Sequence, residues 1–227
     1  MLPGVTNPIV CREVFKLYPM KTSAIITSLI ASVMTLSSCS QSSSDNVASK
    51  AFNPVIENIL TRTSVRQYEA GRTIARDTVE TLLRAAMAAP TAVNKQPWAF
   101  VAIDNREDLD SLAAVLPYAR MLSSAPLAIV TCADLSKAIE NETAERGFWI
   151  QDVSAATENL LLAAHALGLG AVWTGVYPDA DRVKAVQQRL GMPDSIIPLA
   201  VVPVGYPAGE QTHKEKWNPE NVHFNRW

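Results

Sequence analysis

The stretch Arg62-Thr63-Ser64-Val65-Arg66-Gln67-Tyr68 is the one around which the rest of the chain falls into order. In an extended backbone alternate residues share a side, so Arg62, Ser64 and Arg66 point the same way. Two planar guanidinium forks flanking a short hydroxyl suit a phosphate group. A solvated basic turn between two helices accounts for the same seven residues. The balance shifts with a second polar stretch one helix later, Pro90-Thr91-Ala92-Val93-Asn94-Lys95-Gln96-Pro97-Trp98.

Periodicity places the elements around these two stretches. A helix over 54–60, capped by Asn53 with Pro54 in its first turn, leads into the basic stretch. A second helix over 76–89 carries Val79, Leu82, Leu83, Ala86 and Met87 as one apolar stripe and ends at Pro90. The run 98–103 is apolar on both faces and reads as a covered central strand. Asn105 opens a helix to 115 with Asp108 as its capping partner, and 117–125 is a connection. A buried strand over 127–132 follows. The longest helix, 148–167, repeats Val153, Leu160, Leu161, Ala164 and Leu167 and stops at Gly168. Then come a strand over 171–176, a helix over 179–190 and a strand over 197–204. This order describes a three-layer domain with a central sheet; the connections leave parallel and antiparallel pairing open. The tail 206–227 has no periodicity, yet it carries Trp217, Phe224 and Trp227. Rings of this size want burial, so the tail reads as wrapping over a surface, a partner subunit's being one choice.

The 227 residues, 48% of them hydrophobic and 19% charged, can build one sizeable core. A formal charge of −2 with scattered basic residues argues against a nucleic-acid surface. Upstream, Met20-Lys21 precedes a short apolar run over 23–36 and then Leu36-Ser37-Ser38-Cys39. Fourteen residues of helix cover roughly 21 Å, against roughly 30 Å for a bilayer core, so this run describes a secretory leader and not a span. Its end resembles the bacterial lipobox, which implies cleavage before Cys39, lipidation of that cysteine and a start at Met20. The division expected is therefore a leader over 1–38, a lipidated cysteine and polar tether over 39–52, and a domain over 53–227. That places the protein in the cell envelope, held to the membrane through its lipid alone. Cys132 would then be the only free thiol, and it reads as inert packing. His165 reads as a satisfied core histidine.

No metal-ligand spacing, G-x-S-x-G, P-loop or H-E-x-x-H occurs, and Gly168-Leu169-Gly170 lacks the third glycine of a dinucleotide fingerprint. Without a protein nucleophile or acid–base pair, a cofactor has to supply the reactivity. Arg62, Ser64 and Arg66 offer anion binding, while Asn94 and Gln96 offer amides that donate and accept. Flavin mononucleotide asks for that pairing: cations for its phosphate, mixed donors and acceptors for its ribityl chain and pyrimidine edge.

From about residue 53 to the end, the chain resembles the nitroreductase family. The matching pieces are Arg62-x-Ser64-x-Arg66, the 89–98 stretch, Ala125-Pro126-Leu127, Asp152 at the head of the long helix, Gly168-Leu169-Gly170-Ala171-x-Trp173-x-Gly175, Val204-Gly205-Tyr206-Pro207 and Lys214-x-Lys216. The resemblance implies an α+β three-layer sandwich with a mixed, mainly antiparallel sheet. It further implies a homodimer with FMN at the interface and the C-terminal tail laid on the partner. Arg62 and Ser64 would hold the phosphate with Lys214 or Lys216, and Arg66 would face the ring's N1/O2 side. Thr63 stands where relatives commonly carry another arginine, and Lys216 where they often do. Asn94 and Gln96 would bind the ribityl and pyrimidine groups; Pro90, Thr91 and Ala92 would reach in from the other subunit. Thr174 and the amide of Gly175 would lie near N5. The implied reaction carries hydride from NADH or NADPH through FMN to a nitroaromatic, a quinone or a similar small acceptor. A reductive dehalogenation on the same fold and a non-catalytic flavin-binding lipoprotein are the alternatives. Free NAD(P)H is scarce outside the cytoplasm, so an exported enzyme would use another donor or mainly hold flavin. The short polar segment 133–147 leaves no large lid, and Tyr118, Met121, Phe148 and Trp149 read as core packing more than as pocket borders.

Overall fold

Alternation along three long strands sorts the side chains into two cores. The computed structural model describes residues 53–227; the expectations for the leader, Cys39 and the tether lie outside the described residues. Its helices are α1 (Pro54–Thr61), α2 (Arg76–Met87), α3 (Arg106–Val115), α4 (Trp149–Ala166) and α5 (Ala180–Leu190). Its strands are β1 (Trp98–Ile103), β2 (Leu127–Asp134), β3 (Gly170–Ala171), β4 (Thr174–Gly175) and β5 (Ile196–Gly205). On one face of the sheet Leu127 and Ile129 of β2 and Val202 and Val204 of β5 pack against Val79, Leu82 and Ala86 of α2 and Leu160, Leu161 and Ala164 of α4. On the other face Ala128, Val130 and Cys132 of β2 and Val201 of β5 meet Leu109 and Leu112 of α3 and Val186 of α5. This is the expected three-layer α+β sandwich, and each leucine fully buried in it contributes roughly 1.5–3 kcal/mol.

The sheet order is β1-β2-β5-β3, with β4 also paired to β5, and every one of these pairings is antiparallel. A single parallel bridge, Ser64 to Ala171, ties the basic stretch to the edge. Two strand expectations need correction. β1 is covered on both faces but lies at the sheet's edge, so it is not central. The strand expected over 171–176 is two short pieces. Gly170 and Ala171 pair with Gly205 and Val204, and Thr174 and Gly175 pair with Val201 and Ala200, in one continuous register. The gap between them faces Pro203, which has no amide to donate into a ladder.

The helix ends follow local chemistry. Asn53 accepts from the Val55 amide at 2.9 Å, Asn105 from the Asp108 amide at 2.8 Å, and Asp179 from the Arg182 amide at 3.1 Å. Gly168, at φ +71°, takes the left-handed turn that ends α4. The segment 133–147 folds back onto α4: Glu142 Oε1 accepts from the Phe148 amide at 2.7 Å, and Trp149 donates its ring N–H to the Thr143 carbonyl at 2.8 Å. Trp149 is fully buried and Met121 packs on the core, as expected. Phe148 and Tyr118 are corrections, because both stand in solvent; the Tyr118 ring lies 5.1 Å from the Arg182 guanidinium. Met87 and Leu167 are likewise exposed at the ends of their stripes.

Candidate functional site

The backbone leaves α1 at Arg62, whose N–H donates to the Asn58 carbonyl, and runs extended past β3. The Val65 amide donates to the Ala171 carbonyl at 3.0 Å. Val65 and Tyr68 turn inward and are buried. The Tyr68 hydroxyl reaches the Val65 carbonyl at 2.9 Å and the Pro203 carbonyl at 3.2 Å, pinning the stretch from behind. Burial pushes the Tyr68 phenol far above its ordinary range, so it stays a neutral donor. Strict alternation from Val65 would turn Gln67 inward and Tyr68 outward, so the strand pattern assigns Tyr68 no role; the chain departs from that alternation and buries the ring.

With two residues facing in, their neighbours face out. Arg62, Thr63, Ser64 and Arg66 line a cavity of about 280 Å³, and Lys214 and Lys216 of the tail complete its wall. Four cations and two hydroxyls thus converge where the sequence expected a phosphate. Arg62 is held from the side by Glu158 of α4, Nε to Oε1 at 3.4 Å. Next to it His165 lies 3.0 Å from the Thr61 hydroxyl, which itself donates to the Glu57 carbonyl. Nε2 of His165 is therefore the donor in that pair. Burial, with Arg62 adding, holds the imidazole below its usual pKa range. His165 is half-buried and hydrogen-bonded, a structural role on α4 rather than a ligand.

The second polar stretch sits apart from this cavity in the single chain. After Pro90 it makes a 3-10 turn, Ala92–Asn94, and three of its non-glycine residues have positive φ: Val93 at 44°, Asn94 at 57° and Gln96 at 51°. Such conformations cost of order 1–3 kcal/mol each and persist where the surroundings enforce them. Three side-chain contacts do so here. Thr91 Oγ1 accepts from the Gln96 amide at 3.0 Å, Asn94 accepts from the Gln96 side chain at 3.0 Å, and Asp152 Oδ1 of α4 accepts from the Ala92 amide at 2.8 Å. Val93 is left 78% exposed.

The third piece is the edge. Gly175 is exposed on β4, and a Cβ there would meet nothing nearer than the Tyr177 carbonyl at 3.9 Å, so a planar group can approach its backbone. Thr174 is buried with its hydroxyl committed to the Val201 carbonyl, which leaves only its backbone available. Cys132 is inert as expected: it is fully buried, and burial pushes its thiol up to about 12. Among the described residues, no group of three metal-capable side chains gathers and no helix is long and apolar enough to cross a membrane.

Residues 59–121 and 111–206 match the Nitroreductase family. The chain belongs to that family. A Methanothermobacter thermautotrophicus protein provisionally named NADH dehydrogenase/NAD(P)H nitroreductase is 43% identical over 173 residues, 76% of this chain and 87% of the relative. Among solved nitroreductase-fold structures, a Parabacteroides distasonis protein with the same provisional name superposes with a TM-score of 0.72 at 45% identity. It covers 77% of this chain and 99% of its own. A Desulfovibrio desulfuricans nitroreductase homologue solved in complex with FMN has a TM-score of 0.65 at 28% identity, covering 77% and 98%.

Proposed function

We propose that the protein is an FMN-dependent NAD(P)H oxidoreductase whose phosphate cradle is the cavity between 62–66 and 214–216. The convergence of Arg62, Ser64, Arg66, Lys214 and Lys216 on one cavity is the observation that carries this reading. Their donor set fits a phosphate: each hydrogen bond from a charged donor contributes roughly 1.5–3 kcal/mol, so three or four hold a cofactor without a covalent link. Bound FMN would accept hydride from NADH or NADPH and pass electrons to a nitroaromatic, quinone or similar acceptor. Arg66 would stabilise negative charge on the ring, Asn94 and Gln96 would hold the ribityl and pyrimidine groups, and the bare backbone at Gly175 would let the ring lie close.

Two copies complete this site in the same reading. No residue of α1 is buried, leaving Val55, Ile56, Ile59 and Leu60 exposed, and Trp217, Phe224 and Trp227 of the tail are 70%, 85% and 100% exposed. A second copy covers these groups and brings its 90–96 loop toward the first copy's cradle. The lipid anchor at Cys39 and an envelope location complete the proposal; a Cys39→Ser chain then loses acyl labelling and membrane partition. Slow turnover with NADH would agree with that location, and fast turnover at low NADH would count against it.

The deciding experiment is the visible spectrum of the protein purified without added flavin, beside Arg62→Ala/Arg66→Ala. A yellow wild type and a colourless, folded double variant support the reading. A colourless wild type that takes up no added FMN overturns it.

A further inference from the structure

The groups that would touch a flavin do not themselves fix where the strained 90–96 loop sits on the body of the protein. Pro90, Thr91 and Ala92 follow the last turn of α2, and Pro97 is the next buried residue, so 91–96 carry no buried side chain to anchor them. Two of the three side-chain contacts holding the loop are internal to it, Thr91 to Gln96 and Asn94 to Gln96. Internal bonds close a loop but do not fix where it sits on the body. Among the described residues, the one hydrogen bond between its backbone and another element is Ala92 N–H to Asp152 Oδ1 at 2.8 Å, across sixty residues of sequence.

Asp152 is itself unusual. It is 6% exposed, and no cation pairs with it among the described residues. A buried carboxylate without a cation is costly unless it does something an apolar side chain cannot. Here it accepts a charge-assisted bond from a backbone amide of a strained loop, in the first turn of α4, where a negative charge is favoured. Burial raises its carboxyl pKa, with the Ala92 bond opposing and Glu142 adding.

We propose that Asp152 is the positioning residue of the 90–96 loop: its bond to Ala92 fixes the left-handed conformation that presents Asn94 and Gln96. The cofactor half of this inference rests on the FMN reading above; the loop half does not. The consequence for binding is specific. Asn94 and Gln96 serve the ribityl and ring part of a flavin and not its phosphate. Losing the tether therefore weakens riboflavin and FMN by the same factor, about tenfold for one lost charge-assisted bond. Losing a cation from the cradle weakens FMN alone.

Two variants break the bond from opposite ends. Asp152→Ala removes the acceptor. Ala92→Pro removes the donor without touching the buried carboxylate; it sits at the first position of the 3-10 turn after an extended Thr91, where proline fits. If Asp152→Ala fails to fold, Ala92→Pro still decides. Asp152→Asn keeps an acceptor oxygen and serves as the rescue. The direct readout is tryptic cleavage after the exposed Lys95 under native conditions, which tracks how often the loop opens. Cleavage at Lys95 is expected to quicken about tenfold or more in the two breaking variants and to stay within about twofold of wild type in Asp152→Asn. Cleavage at the wild-type rate in both breaking variants overturns the proposal. In parallel, riboflavin and FMN affinities are measured by fluorescence quenching. Equal losses for both flavins support the proposal. A freed loop with unchanged affinities, or a loss confined to FMN, overturns its link to the cofactor. A wild type that binds neither flavin would sink the oxidoreductase reading instead, while the cleavage rates would still judge the tether.

Discussion

Gly170→Ala probes the junction between the sheet and the cation cradle. Gly170 is the first residue of β3, and a Cβ built on it would lie 2.6 Å from both Cβ and Cγ1 of Val65 and 2.8 Å from Cγ2. Its backbone is not left-handed, so alanine brings no conformational strain and the whole effect is steric. Real carbon atoms do not approach so closely, and the 62–66 stretch must move away from β3. Overpacking of this kind costs about 1–3 kcal/mol. The Val65 amide bond to Ala171, at 3.0 Å, would stretch with it and add about 0.5–1.5 kcal/mol. A loss of about 2–4 kcal/mol lowers Tm by roughly 4–16 °C in a domain of this size. Because the nearest atom includes Val65 Cβ, Val65→Ala should not restore Tm, whereas Val65→Gly in the Gly170→Ala background should recover part of it. FMN affinity should fall as well, since Ser64 and Arg66 ride on the displaced stretch. Differential scanning fluorimetry of the three variants is the assay. A Gly170→Ala protein melting within 1 °C or so of wild type would refute the close approach and the placement of the cradle built on it.

Lys214→Ala/Lys216→Ala should weaken FMN about tenfold and leave riboflavin unchanged, measured by fluorescence titration; equal losses would remove the two lysines from the phosphate cradle. His165 makes stability pH-dependent with a definite sign. Its folded pKa is depressed, so the stability it contributes is complete above the unfolded value of about 6.5 and is lost as pH falls through and below that value. The fall in Tm between about pH 7.5 and 5.5 should be smaller in His165→Gln than in wild type, and parallel curves would show the histidine plays no part. Cys132, buried with its thiol pushed up to about 12, should stay unmodified when the native protein is treated with a thiol reagent and peptide-mapped. Rapid native labelling would mean that the strand opens.

How much of this was legible in the sequence depends on where each cause lies. β2 and β5 announce themselves as apolar runs because both faces and both neighbours are covered. β1 reads the same way, since a strand's composition reports its faces and says nothing of whether its outer edge is paired. The break between β3 and β4 was invisible for a related reason: the proline responsible sits in β5, and its effect falls on the strand opposite. Alternation in 62–66 predicted the shared direction of Arg62, Ser64 and Arg66, and the buried Val65 accounts for it. The approach of Lys214 and Lys216 came only from the family resemblance, because no local pattern brings a distant tail to a helix end. The positive φ of Val93 and Gln96 runs against their residue types. Part of the constraint lies within the loop, where Thr91 and Asn94 hold Gln96, and part comes from Asp152 on α4, which no local pattern announces.

The split edge also bears on how the chain survives while folding. An unpaired strand is a template on which another chain can add, and the risk grows with the length of unbroken ladder it offers. Here the edge beside β5 offers two residues, then a gap opposite Pro203, then two more. The first pair is capped by the parallel bridge from Ser64. An incoming segment would find too few consecutive hydrogen bonds to hold register, so the opening that exposes Gly175 to a planar ligand remains a poor seed for self-association.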